Sequence, residues 1–452
     1  MTAESLPSVP PSHNPTEPSP QLAGPRVFWS NFDCEWDWAQ WYGSQDQPQG
    51  GENRGRPRDR RPPPILQAAA EKTRLWRNQL AWSWLPLARA GDLIVGGEGG
   101  QKDRSPFREA DLPADVWEGV GFVPRMPPHC GGRLVPWGWT DGARQLALQG
   151  GVALPSPLPT VVAEVNSRCR RWEWEQQLGL ALPGSCPIAS LGELTRALLS
   201  LPDPEAGWVL KANFGMSGRE AIRGRGLTVT EPQRRFVEQR LEATGPLVLE
   251  PWLTAVAEAG VQWDLAPDGR ITLVGVAEQR VAGGTWQGSR FSGSVAGAAW
   301  HAAIEATERV AQRVAAAGYW GPLGIDCMRY RDVNGGERLR PLQDLNARFT
   351  MGRLTLAWRD HLPAGWSAAW RVIPPHATGA VQVFCEQIGT SRTGTTLAWR
   401  TTPGIAAPPA NDSARRESFP AGRCLLAACD NSRLDSLEHD FEVVVERSRH
   451  PV

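Results

Sequence analysis

Two acid-bearing stretches and the turn between them constrain this chain more than any other part of it. Leu323-Gly324-Ile325-Asp326-Cys327-Met328 and Leu342-Gln343-Asp344-Leu345-Asn346-Ala347-Arg348 each run apolar residues up to an acid, and Arg331 to Glu337 has turn composition. A strand alternates its side chains, so Asp344 and Asn346 project together, and a neighbouring strand can set Asp326 opposite them. The result is an all-oxygen cluster suited to Mg2+ shared with phosphate. For any one of these residues, a turn cap or a solvated acid is the plainer explanation. The three together, followed by Arg348 and Thr350-Met351-Gly352, favour a metal site.

Length and charge narrow the classes. A chain of 452 residues has room for two to four domains. Its formal net charge of zero gives no global attraction to nucleic acid or anionic membrane. It has no apolar run of the ~18 residues a spanning helix needs, and Met1 to Pro25 lacks the apolar stretch of a signal peptide, so a cytoplasmic protein is expected. The eight cysteines are scattered without a Cys-x-x-Cys pair and read as free thiols. Of 48 basic residues only Lys72, Lys102 and Lys211 are lysine, which singles out a lysine as a place where arginine would not serve. The 22 tryptophans read as large core and interface residues.

Residues 1–24 form a Pro/Ser-rich arm expected to be disordered. Residues 25–160 alternate strand and helix patterns, with strands at Val27–Phe32, Asp92–Gly97 and Arg133–Thr140, as in a small open α/β domain. Gly43 to Pro64 reads as a surface excursion, and a helical pattern begins at Ile65. Residues 161–245 are more regular. Asn166 is positioned to cap a helix from Arg168 to Leu178, and Ser190/Glu193 and Thr230/Gln233 have capping-box spacing. Gly207 to Ala212 is a strand running into Asn213-Phe214-Gly215-Met216-Ser217-Gly218. Residues 246–360 start with a strand ending at Glu250, continue through a hairpin turned at Pro267-Asp268-Gly269-Arg270 and a helix at Ala302–Ala317, and close with the acid-bearing strands. Residues 361–452 carry weak signals and read as a C-terminal extension with a last strand near Phe441–Val445.

Lys211 at a strand end before a Gly/Ser turn puts an ammonium and backbone N–H groups on one concavity, which suits nucleotide phosphates, although a plain turn explains the glycines equally well. The order is not that of a Walker loop, because the lysine precedes the glycines. Glu250 has the placement to accept from a ribose hydroxyl, with Leu249 and Trp252 lining a base pocket. An exposed strand-end acid is its plainer alternative. Arg280 and Arg290 flank Gly283-Gly284 and are candidates to grip an acid substrate, against the simpler reading of solvated arginines.

Taken in order, a lysine with a Gly/Ser loop, Glu-x-Trp-Leu, an aspartate, then Asp-x-Asn with an arginine two positions on resembles the ATP-grasp superfamily. Within it the pattern is similar to the carboxylate-amine ligases typified by D-alanine-D-alanine ligase, over Val161 to Trp358. The resemblance implies an α/β (α+β) ATP-grasp fold with a preceding small open α/β domain and a short C-terminal extension. It implies that Lys211 contacts ATP phosphates and that Gly215, Ser217 and Gly218 cover them. Glu250, Trp252 and Leu253 would hold the nucleoside, Arg168 would add a nucleotide contact, and Arg348 would sit near the transferred phosphate. Asp326, Asp344 and Asn346 would bind one or two Mg2+ ions, or Mn2+. Asp344 stands where glutamate is usual, and Gly324 where the D-alanine ligases carry a substrate-binding arginine.

The activity so implied is ATP-dependent ligation of a small-molecule carboxylate to an amine, amino acids or peptides among them, through an acylphosphate, with no nucleic-acid or membrane partner. A small-molecule kinase of the same fold and a non-catalytic nucleotide-binding scaffold are the alternatives. The acid, the amine and the oligomeric state are not encoded legibly.

Overall fold

The structure, a computed structural model, describes residues 24–35, 37–38, 77–78, 80–96, 107, 111–215, 220–282, 285–293, 298–332, 334–402 and 422–449. The helical pattern from Ile65 to Trp76, the Gly43 to Pro64 stretch and Met216 to Arg219 lie outside these.

Four short strands, β1 (Arg26–Trp29), β2 (Leu93–Val95), β3 (Gly121–Val123) and β4 (Arg133–Pro136), pair in parallel in the order β3-β2-β1-β4. Val27 and Ile94 are completely buried, as expected where both faces of a parallel sheet are covered. Helix α1 (Asp141–Gly150) begins at Thr140, whose hydroxyl accepts from the Ala143 N–H, and stops at Gly151 in a left-handed conformation. Beyond the carboxyl end of β1 the chain turns through Asn31 to Glu35, the edge at which open α/β sheets place ligands.

Helices α2 (Pro159–Asn166) and α3 (Arg168–Leu178) lead into a second sheet. The cap of α3 is Ser167, whose hydroxyl accepts from the Arg170 N–H, and not Asn166 as the spacing suggests. Asn166 closes α2 and its amide oxygen accepts from the Ala347 N–H. Strands β5 (Cys186–Ile188), β6 (Trp208–Lys211), β7 (Ala221–Gly224) and β8 (Leu247–Pro251) pair antiparallel in the order β5-β8-β6-β7. One face carries Trp208, Leu210 and Leu249 against α4 (Leu191–Leu198) and α5 (Glu231–Thr244). Strand alternation therefore turns Val209, Lys211 and Glu250 to the other face. Both halves of the Thr230/Gln233 capping box form, whereas Glu193 reaches past Ser190 to the Ala189 N–H.

The large sheet has eight strands. They are β9 (Thr254–Leu265), β10 (Ile271–Ala282), β11 (Thr285–Phe291), β12 (Gly321–Arg331), β13 (Glu337–Asn346), β14 (Ser367–Ile373), β15 (Thr396–Arg400) and β16 (Gly422–Ala428), in the order β13-β12-β9-β10-β11-β14-β16-β15. Helix α6 (His301–Ala316) supplies Val310 and Val314 to the core that holds Val261, Ile325 and Leu345 of this sheet, and α7 (Met351–Ala357) follows β13. Trp84, Trp358, Trp370 and Trp399 are completely buried, as the core reading of the tryptophans requires.

The end of the chain is where the sequence reading falls short. Among the described residues, those after Asp360 supply three strands of the large sheet and two helices, α8 (Thr378–Ile388) and α9 (Asn431–Arg447), that pack Phe384, Leu434 and Phe441 on its Ala369, Leu426 and Ala428 face. Phe441 to Val445 is the last part of α9, not a strand. Its β-branched run resembles a strand locally, but Leu434, Leu437 and Phe441 keep helical spacing and are buried together. Among the described residues no helix is long and apolar enough to cross a membrane.

Candidate nucleotide and metal site

The acids fall where strand pairing puts them. Strands β12 and β13 are antiparallel with Asp326 directly opposite Asp344 and Gly324 opposite Asn346. Asn346 Nδ2 donates to Asp326 Oδ2 at 3.0 Å, and Gln279 Nε2 of β10 donates to Asp326 Oδ1 at 2.7 Å. Arg348 Nη2 donates to Asn346 Oδ1 at 2.8 Å. Gly260 on β9 is aligned with Asp326, and a side chain there would stand 2.7 Å from Gln262 Nε2. The bare backbone leaves room for the Gln262 and Gln279 amides beside Asp326.

Burial and the neighbouring Asp344 charge push the Asp326 carboxyl up to about 6. Asp344 behaves oppositely. Burial opposes its charged form, yet Arg168, Lys211 and Arg171 outweigh that and hold it below the usual carboxylate range. Arg168, at the first turn of α3, makes the closest of these contacts. Its Nη2 lies 2.7 Å from Asp344 Oδ2, its Nε is 3.3 Å from each Asp344 oxygen, and it donates to the carbonyls of Ala212 and Gly215.

Glu250 does not face solvent. It is 1% exposed, and its two oxygens are taken by cations: Oε1 by Arg171 and by Arg340 at 2.8 Å, Oε2 by Lys211 at 2.9 Å. Burial works against the charged form, but Arg340, Lys211 and Arg171 outweigh it and hold the carboxyl well below its ordinary value. Glu175 of α3 adds a second buried carboxylate, 3.5 Å from Arg340. Lys211 is lowered from the ordinary lysine value, chiefly by burial. Its Nζ also donates to the Gln343 carbonyl at 3.4 Å. The cluster ties α3 and the small sheet to β13, and brings Lys211 to the strand that carries Asp344.

Trp252, which follows β8, stacks on Arg223 of β7 with the guanidinium carbon 3.7 Å from the ring centroid, and Leu253 beside it is half-buried. Gly215 needs its bare backbone, because a Cβ there would meet the Glu220 Cβ at 2.5 Å. Ser217 and Gly218 lie outside the described residues. Arg348 reaches Glu35 of the first domain at 2.6 Å, a contact that keeps it charged against the cost of burial. A small, partly open cavity is lined by Glu35, Arg168, Gly215, Asp344 and Asn346 among others.

Arg280 and Arg290 are not at this site. Arg280 pairs with Glu442, and Arg290 with Asp435 at 2.7 Å and Glu438 at 3.1 Å, all on α9. They fasten the C-terminal helix to β10 and β11, and the physical reason is the row of acids Asp435, Glu438 and Glu442 on α9. Sequence reasoning also missed Arg171, Glu175, Arg340, Gln279 and Glu35. One signal was available for two of them: Arg171 and Glu175 stand four apart on the predicted helix, an arginine and an acid on one face.

The donor set suits a hard divalent cation, since two carboxylates and an amide meet on adjacent strands, with the amide nitrogen now turned to Asp326 and its oxygen to Arg348. Among the described residues no group of three or more His, Cys, Asp or Glu side chains could hold a metal, so Asn346 would have to complete the set. Room for a second ion is restricted by Arg168, which already occupies both Asp344 oxygens.

No family model matches the chain, and no curated protein matches it. Solved structures do. An N5-carboxyaminoimidazole ribonucleotide synthetase bound to ADP superposes with a TM-score of 0.51 at 14% identity, over 82% of this chain and 96% of that one. A biotin carboxylase from Campylobacter jejuni, in a beta-gamma-ATP complex, gives 0.52 at 10% identity, over 82% and 93%. The biotin carboxylase domain of a 2-oxoglutarate carboxylase from Hydrogenobacter thermophilus, with MgADP and bicarbonate, gives 0.50 at 10%, over 82% and 91%. The chain has the ATP-grasp fold with a preceding small domain.

The narrower likeness to D-alanine-D-alanine ligases gains no support from these structures, and Gly324 explains one departure physically. A Cβ at Gly324 would lie 2.5 Å from the Thr350 Cγ2 and 3.0 Å from Gln262 Oε1. An arginine has no room there.

Proposed function

We propose that the chain is an ATP-dependent, ADP-forming ligase that joins a small carboxylic acid to an amine. The observation that carries this reading is the grouping of Asp326, Asp344 and Asn346 on paired strands with Arg168, Lys211 and Arg348 bonded to them or to the strand that carries Asp344. When bound, ATP and magnesium would supply the phosphoryl group that activates the acid as an acylphosphate. Asp326, Asp344 and Asn346 would hold the metal. Lys211, already desolvated, would present its ammonium to phosphate oxygens, and Arg168 would add a planar pair of donors. The face of β6 to β8 that carries Val209, Arg223 and Trp252 would take the base. Arg348, fixed by Glu35 and Asn346, would meet the charge that builds on the transferred group.

The neighbouring structures broaden the candidate acids to include bicarbonate, which is named with one of them. The test is ADP release from ATP in panels of acids with and without amines, bicarbonate among the acids, together with hydroxamate formation when hydroxylamine replaces the amine. The reading expects acid-dependent ADP release. A phosphorylated alcohol as the sole product would convert the assignment to a kinase. Nucleotide binding without turnover in any panel, with the biological role kept in Asp326→Ala, would convert it to a scaffold.

A further inference from the structure

We infer that Arg168 is a built-in counter-ion of the metal site, so that Asp344 accepts a divalent cation only when a polyphosphate anion draws Arg168 away. The inference rests on the nucleotide reading of the cleft and concerns the order in which its parts become available.

The geometry is that of a committed pair. Arg168 presents Nη2 and Nε to the two Asp344 oxygens, with one contact at 2.7 Å and two at 3.3 Å. Asp344 Oδ1 also accepts from the Leu345 N–H at 3.1 Å. Arg168 is 9% exposed, and its remaining reach is fixed by the carbonyls of Ala212 at 2.9 Å and Gly215 at 3.1 Å. A buried guanidinium in bidentate contact is stable in place because removal of either partner strands a desolvated charge. A lone Mg2+ or Mn2+ approaching Asp344 therefore meets a cation already seated, and it would have to leave that cation unpaired.

An anion changes this balance. Arg168, Asp344, Asn346 and Gly215 line the same small cavity, so phosphate oxygens entering it are within reach of Arg168 while the acid opposite is released. The guanidinium exchanges one oxyanion for another, and Asp344 turns its charge to a metal that the phosphates also hold. Lys211 supports the same exchange, since it bonds the Gln343 carbonyl next to Asp344 and pairs with Glu250. Such an arrangement couples two ligands through one side chain, and linkage makes the coupling reciprocal: metal tightens nucleotide by the factor by which nucleotide tightens metal.

The test is Mn2+ binding read from the electron paramagnetic resonance signal of free Mn2+, which does not depend on turnover. It is run on the full chain with Mn2+ alone and with Mn2+ plus ADP, each corrected by the same mixture without protein because ADP itself binds Mn2+, in wild type and in Arg168→Gln. Wild type should bind Mn2+ at least about tenfold more tightly with ADP than without, within the usual range of coupling factors. Arg168→Gln should gain affinity for Mn2+ alone and lose most of the ADP effect. Wild type binding Mn2+ tightly without ADP, and no more tightly with it, would overturn the inference and leave the nucleotide reading intact. If wild type binds Mn2+ only weakly with or without ADP but Arg168→Gln gains Mn2+, the counter-ion role stands and the nucleotide reading fails. If Arg168→Gln folds and gains nothing, the counter-ion role is wrong. If it does not fold, the two wild-type arms decide the point.

Discussion

Replacing Glu250 by glutamine separates two accounts of that residue. In the structure Glu250 is the anchor of a buried cluster of three cations, Arg171, Arg340 and Lys211, and one further carboxylate, Glu175. The formal charge of the cluster is three minus two, and the substitution makes it three minus one, in a place where Glu250, Arg171 and Arg340 are at most 3% exposed. Breaking a buried pair by removing one partner costs about 3–5 kcal/mol, and the remaining amide oxygen of glutamine places the expectation near the lower figure. The assay is urea unfolding of ligand-free protein followed by tryptophan fluorescence, from pH 8 to pH 3.

The pH dependence has a definite sign. Because the folded Glu250 carboxyl is held well below its ordinary value, its contribution is complete above the unfolded value of about 4.3 and lost as pH falls through the folded one. The gap between wild type and Glu250→Gln should therefore be flat above about pH 5 and shrink below about pH 4. Adding Arg340→Met to Glu250→Gln should recover part of the loss, because one stranded cation is removed with its partner. An unchanged urea midpoint, with the defect confined to nucleotide affinity, would refute the anchor account and return Glu250 to the ribose.

Other substitutions test other parts. Gly324→Ala pushes a methyl into Thr350 and Gln262 and should cost about 1–3 kcal/mol in the same unfolding assay. Arg290→Ala should weaken the hold on α9, seen as faster amide exchange across Asn431–Arg447, and leave the KM for nucleotide unchanged. Lys211→Arg should lower kcat by at least about tenfold, because a planar fork cannot take the place of a compact ammonium 2.9 Å from Glu250.

What was legible in the sequence was local and periodic. The strand pair with Asp326 facing Asp344 followed from alternation and a turn, and the β9–β10 hairpin from Pro-Asp-Gly. Lys211 stood out by its rarity. The partners of these residues were not legible, because they come from far along the chain: Arg168 is 176 positions from Asp344, and Arg340 is 90 from Glu250. An acid at a strand end reads the same whether it meets water or three buried cations. The same limit applies to residues after Asp360, whose strands add to a sheet begun a hundred residues earlier. Arg280 and Arg290 were misplaced for that reason, since the acids of α9 that hold them carry no mark in sequence of the strand they face.

The central claim is that Lys211 and the Asp326–Asp344–Asn346 group form one nucleotide and metal site. Calorimetric titration with a non-hydrolysable ATP analogue and Mg2+ tests it most directly, on wild type, Lys211→Ala and Asp326→Asn. The account predicts single-site binding to wild type, weakened at least about tenfold by Lys211→Ala, the loss of one charge-assisted contact, and made insensitive to Mg2+ by Asp326→Asn. Wild type that binds no analogue, or both variants binding it as wild type does, would contradict it.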